Sequence, residues 1–116
     1  MNYATRPIKT VKKVWGEEKI VVNDRYCAKL ITLNPGFQCS IHQHLVKDET
    51  FYVLRGKIYE ELDEKWYLLK EGDTITIPAE HWHRFRNSSD EPAFILEVST
   101  RHHDHDVERR NVSGPI

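Results

Sequence analysis

The sequence predicts an all-β, antiparallel fold, and three observations carry that prediction. Strand-like runs of four to nine residues recur along the chain, turn signals separate them every 8 to 12 residues, and no amphipathic helix is legible before residue 100. Together they describe a β-sandwich or barrel. At 116 residues the chain makes one domain, large enough to bury on the order of two-thirds of its unfolded surface around a single core.

The elements follow in order. Residues 1–13 show no hydrophobic period and read as an arm lying on the barrel or on a neighbouring subunit, closed by Trp15 and Gly16. EKIVVN is a first short strand, Asn23-Asp24 a turn, and RYCAKLITL a second strand with adequate alternation. Pro35-Gly36 then turns tightly into the next strand. After Gly56, KIYEEL and KWYLL form a hairpin with its tip at Asp63-Glu64, and the interleaved charges predict that it faces solvent. EGD turns the chain again, TITI and HWHRF are strands, NSSDEP is a polar loop, and AFILEVS is the last strand. Residues 101–116 form a polar tail, too hydrophilic for the core, with one short helical turn or none.

Composition excludes more than it identifies. A net charge of −1 with 30% charged residues favours neither a nucleic-acid backbone nor an anionic membrane. No apolar run approaches the roughly 18 residues of a membrane helix, and the first 15 residues lack the apolar block of a signal peptide, so the expected location is cytoplasmic. Cys27 and Cys39 lack the spacing of a metal-binding pair and read as two small, semi-buried hydrophobes.

Histidine placement is the informative feature. The seven histidines fall at His42 and His44, at His81 and His83, and at His102, His103 and His105. In a strand successive side chains alternate faces, so His42 and His44 point the same way, about 7 Å apart, and can jointly hold a metal. Glu49 follows after a four-residue gap that can turn a corner, and it opens the strand-like run ETFYVL; a hairpin there returns its carboxylate to the imidazoles. His83, five residues past Pro78, offers a fourth ligand. Alternation places Gln38, Ser40, His42 and His44 on one face, Glu49, Phe51 and Val53 on one, and His81, His83, Phe85 and Asn87 on one. A barrel interior near the metal would then also hold Gln38, His81 and Phe51, a mixture suited to a small polar ligand. Three imidazoles and a carboxylate suit one divalent ion: zinc, manganese, iron, nickel and cobalt all fit. Gln38, Ser40 and Asn87 are the nearest polar groups for orienting the ring nitrogens that do not bind it.

The spacing has a further meaning. Glycine, five residues, His-x-His, four residues, glutamate, six residues and glycine span Gly36 to Gly56, and glycine, five residues and proline span Gly72 to Pro78, with His83 and Asn87 beyond. These match the two motifs of the cupin superfamily, with one departure, Glu80 where the family usually has glycine. The resemblance implies a cupin jelly roll, an antiparallel double-stranded β-helix, over residues 14–100. Below the superfamily, KKVWG, the stretches around both motifs, ILEVST and DHDVERR are similar to small cupins related to D-lyxose isomerase and to the type II mannose-6-phosphate isomerase domain of bacterial bifunctional enzymes, over about residues 12 to 110. In those isomerases the equivalents of His42, His44, Glu49 and His83 bind a divalent metal, and the substrate is an open-chain sugar.

What the resemblance implies is an aldose-ketose isomerase acting on a small sugar or sugar phosphate. Such a reaction moves a proton between adjacent carbons through an enediol and needs an acid-base group beside an electrophile. Glu80, His81 and Glu97 are the candidate catalytic residues, with Lys29 and Tyr26 as weaker substrate contacts. Each of the first three also has a bland reading: a surface turn for Glu80, a hydrogen-bonded neighbour for His81, and an ion pair with Arg84 or Arg86 for Glu97. A metal-dependent dioxygenase and a non-catalytic sugar-binding cupin are the alternatives, and the chain has no room for the DNA-binding domain of regulatory cupins. The tail histidines are either solvated or folded back to the site. Pairing through sheet edges and the N-terminal arm predicts a homodimer.

Overall fold

The computed structural model describes residues 3–116. Its strands are β1 (Lys9–Lys13), β2 (Gly16–Asn23), β3 (Tyr26–Leu33), β4 (Phe37–Gln38), β5 (His42–His44), β6 (Glu49–Arg55), β7 (Lys57–Leu62), β8 (Lys65–Lys70), β9 (Thr74–Ile77), β10 (His83–Asn87), β11 (Ala93–Thr100), β12 (Val107–Arg109) and β13 (Gly114–Pro115). All pairings are antiparallel, and the strands form two sheets. One runs β1-β2-β3-β11-β6-β9. In the other, β4 and β5 are two pieces of one interrupted strand along one side of β10, while β7 and then β8 extend its other side. This is the all-β, two-sheet architecture that the strand pattern predicts.

Period-two alternation decides which side chains enter the core. Along β3 and β11 the buried residues are Cys27, Lys29, Ile31 and Leu33, and Ala93, Ile95 and Glu97. The core joins both sheets: Leu33, Val53, Ile77 and Ile95 from the first meet Ile58, Leu69 and Phe85 from the second. Trp15, at the entry to β2, packs edge-on against Phe85 with ring centroids 5.1 Å apart. Burying each of these large side chains contributes about 1.5–3 kcal/mol.

Two glycines are required by close approach. Gly16 has φ of 149°, and a Cβ there would stand 1.9 Å from the Thr32 carbonyl oxygen. Gly56 has φ of 85° and passes the chain from β6 in one sheet to β7 in the other, where a Cβ would meet the Ala93 Cα at 3.2 Å. Both demands explain glycine at these positions.

Three features differ from the sequence reading. The second half of the expected arm is strand β1, paired residue for residue with β2 from Lys9↔Ile20 to Lys13↔Gly16. The polar tail, read as one short helical turn or none, contributes strands β12 and β13, which pair with β5 and β4. The β7–β8 hairpin does not simply face solvent, because Ile58 and Glu60 are fully buried on its inner side. Cys27 and Cys39 are free and buried, as expected.

Candidate metal centre

His42 and His44 lie on β5, Glu49 opens β6, and His83 opens β10. The expected hairpin between the histidine strand and β6 does not form: β5 pairs with β10 and β12 in one sheet and β6 with β11 and β9 in the other, so Glu49 reaches the imidazoles across the interior between the sheets. The register places His83 directly opposite His42, which fixes their side chains on a shared face. One ligand atom from each of His42, His44, Glu49 and His83 lies within 4.8 Å of the others. His44, Glu49 and His83 are buried and His42 is half-buried.

Main-chain carbonyls orient two of the rings. His42 Nδ1 donates to the Ser40 carbonyl oxygen at 2.7 Å, and His83 Nδ1 donates to the His81 carbonyl oxygen at 3.0 Å. Because a carbonyl only accepts, each neutral ring carries its proton on Nδ1 and presents the lone pair of Nε2. Ser40 thus serves through its backbone. Asn87 does not orient a ring: its side chain donates to the carbonyls of Leu33 and Glu91 and accepts from Ser89, organising the turn before β11. Gln38 pairs through its backbone with Arg86 and Gly114, and its buried Oε1 has no hydrogen-bond partner.

Electrostatics favours a cation at the centre. Burial holds His42 down to about 3, aided by His83, and His44 down to about 4, so both rings are neutral donors at neutral pH. Burial alone would raise Glu49, but the adjacent His83 ring and the Lys47 charge outweigh it and keep the carboxylate ionised. His83 Nε2 lies 2.8 Å from Glu49 Oε1, yet neither atom completes a properly directed hydrogen bond. A ring nitrogen and a carboxylate oxygen thus face each other in a dry interior with no directed hydrogen bond between them, an arrangement that a positive ion there resolves. The donor set therefore fits a divalent metal of borderline hardness.

The centre opens into a cavity of about 280 Å³ whose wall includes His42, His44 and Glu49. Trp15, Phe51 and Phe85 form part of its apolar side, and Lys29, Lys47 and Glu97 carry charge into it. Lys29, on β3, is buried and pairs with Glu18 at 3.4 Å. Lys47 is buried between Glu49 and Glu97, 3.3 Å from a carboxylate oxygen of each. Burial, then the Glu49 charge, raises the Glu97 carboxyl above its ordinary range, while Lys47 and Lys29 oppose the rise. Burial would lower the Lys47 ammonium, but Glu97 and Glu49 more than offset it, so it stays protonated.

The other expected site residues are divided. Glu97 faces the cavity, and its partner is Lys47; Arg84 instead pairs with Glu61 at 2.9 Å. Glu80 and His81 are not brought to the cavity wall. Glu80 occupies a turn with φ of 68°, and its backbone N–H donates to the His44 carbonyl oxygen at 2.7 Å. The His81 ring pairs with Asp63 at 2.6 Å at the tip of the β7–β8 hairpin. Phe51 lines the cavity as alternation predicts, whereas Gln38 does not, because residues 39–41 leave the strand and carry Cys39 and Ser40 both to the wall. Tyr26 is exposed and away from it.

Sequence reading missed Lys47 and left His102 undecided. His102 does fold back: its Nδ1 lies 3.1 Å from Lys47 Nζ, its ring is 6.3 Å from that of His44, and it lines the cavity. Asn23 fastens it, exchanging both amide hydrogen bonds with the His102 backbone. Lys47 sits inside the gap between His44 and Glu49, and a lone lysine beside two ligands was the available signal. The rings of His103 and His105 lie 5.6 Å apart, tilted by 47°, and do not line the cavity.

Comparison with known proteins agrees with this geometry. Residues 29–99 match the cupin domain family model. The alginate biosynthesis protein AlgA of Pseudomonas putida is 31% identical over 102 residues, covering 85% of this chain and 21% of AlgA. Mannose-1-phosphate guanylyltransferase of Escherichia coli is 33% identical over 89 residues, covering 76% of this chain and 19% of that protein. The chain thus spans about a fifth of the length of these relatives. A cupin-superfamily sugar phosphate isomerase from Silicibacter pomeroyi superposes with a TM-score of 0.69 at 22% identity, covering 86% of this chain and 79% of that one. By its two sheets, its ligand spacing and the family match over most of its strands, the chain belongs to the cupin family.

Proposed function

We propose that this cupin holds one divalent metal at His42, His44, Glu49 and His83 and isomerises a small open-chain sugar or sugar phosphate between aldose and ketose. One observation carries the reading: the buried Glu97–Lys47 pair faces the same cavity as three of the four ligands. The metal would supply an electrophile for the sugar's carbonyl and hydroxyl oxygens. Glu97 is the residue that takes the proton from one carbon and returns it to the next, since its surroundings raise its proton affinity toward the working range of a general base. Lys47 steadies the carboxylate that alternately gains and loses that proton. Trp15, Phe51 and Phe85 displace water from one side of the sugar, and Lys29 offers an N–H donor to a hydroxyl or phosphate oxygen. The similarity to the Silicibacter pomeroyi sugar phosphate isomerase and to mannose-1-phosphate guanylyltransferase supports a sugar-derived ligand.

The test is turnover of pentoses, hexoses and their phosphates by protein loaded with zinc, manganese, iron, nickel or cobalt in heavy water. The expected result is product carrying solvent deuterium at the carbon that receives the proton, and a loss of roughly 10²–10⁴-fold in Glu97→Gln. Oxygen uptake in place of isomerisation would assign a dioxygenase, and saturable sugar binding without turnover would assign a binding protein.

A further inference from the structure

Glu49 offers two carboxylate oxygens, and the fold uses them differently. Oε1 faces the imidazoles, 2.8 Å from His83 Nε2 and 3.6 Å from His44 Nε2, and has no hydrogen-bond partner. Oε2 faces Lys47 Nζ at 3.3 Å. The ammonium is only 2% exposed: it donates to Glu97 Oε2 at 3.3 Å and to His102 Nδ1 at 3.1 Å, and Glu49 Oε2 stands within ion-pair distance of it.

The backbone beneath this lysine is fixed as well. Asp106, 5% exposed, reaches across from the segment before β12 and accepts the Leu45 and Val46 N–H groups on Oδ1, both at 2.9 Å, and the Lys47 N–H on Oδ2 at 3.0 Å. One carboxylate thereby holds most of the loop between His44 and Glu49, and Lys47 enters the cavity from an anchored main chain.

A carboxylate with both oxygens free can close on a metal ion in bidentate fashion and take up an extra coordination position. An ammonium on Oε2 opposes that closure. We propose that Lys47 is a positioning residue that confines Glu49 to donating through Oε1 alone, which preserves coordination capacity for the oxygens of a bound ligand. The assignment rests on the reading that the four-residue cluster holds a divalent metal. It is independent of which reaction follows.

The test is coordination number, read without turnover. Wild type, Lys47→Met and Lys47→Arg are loaded with cobalt for visible absorption and with zinc for X-ray absorption. Lys47→Met is expected to gain an oxygen neighbour at zinc and to show shifted visible cobalt bands of lower intensity, while Lys47→Arg, which keeps a cationic donor for Oε2, restores the wild-type signature. If Lys47→Met does not fold, Lys47→Gln, too short to reach Oε2, carries the same expectation. Wild-type spectra from Lys47→Met or Lys47→Gln would overturn the assignment while leaving the isomerase proposal standing. Failure of the wild type to take up zinc, cobalt, manganese, iron or nickel would overturn both.

Discussion

His83 and Glu49 meet at the seam of the two sheets: Nε2 of the first, on β10, lies 2.8 Å from Oε1 of the second, on β6, with no protein donor between them. A metal bound here therefore ties the sheets together as well as serving any chemistry. Zinc, cobalt, manganese, nickel or iron at 100 times its dissociation constant should stabilise the fold by about 2.7 kcal/mol, which for a domain of this size is on the order of a 10 °C rise in melting temperature. Thermal unfolding with and without chelator measures it. His42→Ala/His44→Ala should lose the increment, and the same increment in that variant would remove these residues from the metal site.

The metal-free protein should lose stability on acidification through the same rings. His42 and His44 are held at about 3 and about 4, below the ordinary 6.5, so the unfolded chain takes up their protons first. Their contribution is complete above pH 6.5 and falls as pH drops toward 4 for His44 and 3 for His42, with a slope of up to about 1.4 kcal/mol per pH unit for each ring. Urea denaturation of wild type against His42→Gln/His44→Gln across pH 4 to 7 isolates this part. A pH-independent difference between them would contradict it.

Glu60 should show the opposite sign. It is fully buried on the inner face of β7, and neither carboxylate oxygen has a hydrogen-bond partner. Burial, with the charges of Glu49 and Glu97, pushes its carboxyl well above the ordinary value. The folded state therefore holds this proton more tightly than the unfolded chain, and its contribution is complete below pH 4.5 and lost as pH rises toward the folded value. Glu60→Gln should gain stability relative to wild type between pH 4.5 and 7. Equal pH profiles for the two proteins would show that Glu60 has a compensating partner.

Asp106→Ala should destabilise by about 1–3 kcal/mol, since three backbone donors of the loop between His44 and Glu49, the buried Lys47 N–H among them, lose a charged acceptor. Asp106→Asn retains one accepting oxygen and should recover part of the loss. Urea midpoints at constant m-value decide it. A cost below about 0.5 kcal/mol for Asp106→Ala would mean that water replaces the carboxylate.

Local sequence determined the parts of this protein that depend on neighbours along the chain. Alternation identified β3, β6 and β11 and put His42 and His44 on one face, glycine and proline marked the turns, and the spacing of His42, His44, Glu49 and His83, matched to the cupin motifs, singled out the cluster that could hold a metal.

Tertiary structure decided what spacing does not encode. Strands as short as β12 and β13 are too brief to show a period and exist only as partners of β5 and β4. His81 and Glu97 both stood near a motif, but only β11 delivers its residue to the cavity, while the His81 ring turns to Asp63 on the hairpin tip. The inward face of β7 was hidden by its charges, because interleaved Glu and Lys read as solvent-facing until the neighbouring strands enclose Glu60. Lys47, Glu97, His102 and Asp106 converge from separations of up to 59 residues, and that convergence follows from closing two sheets on one core. Contacts of that kind are chosen by packing and charge pairing in the folded state, and no local pattern has to announce them.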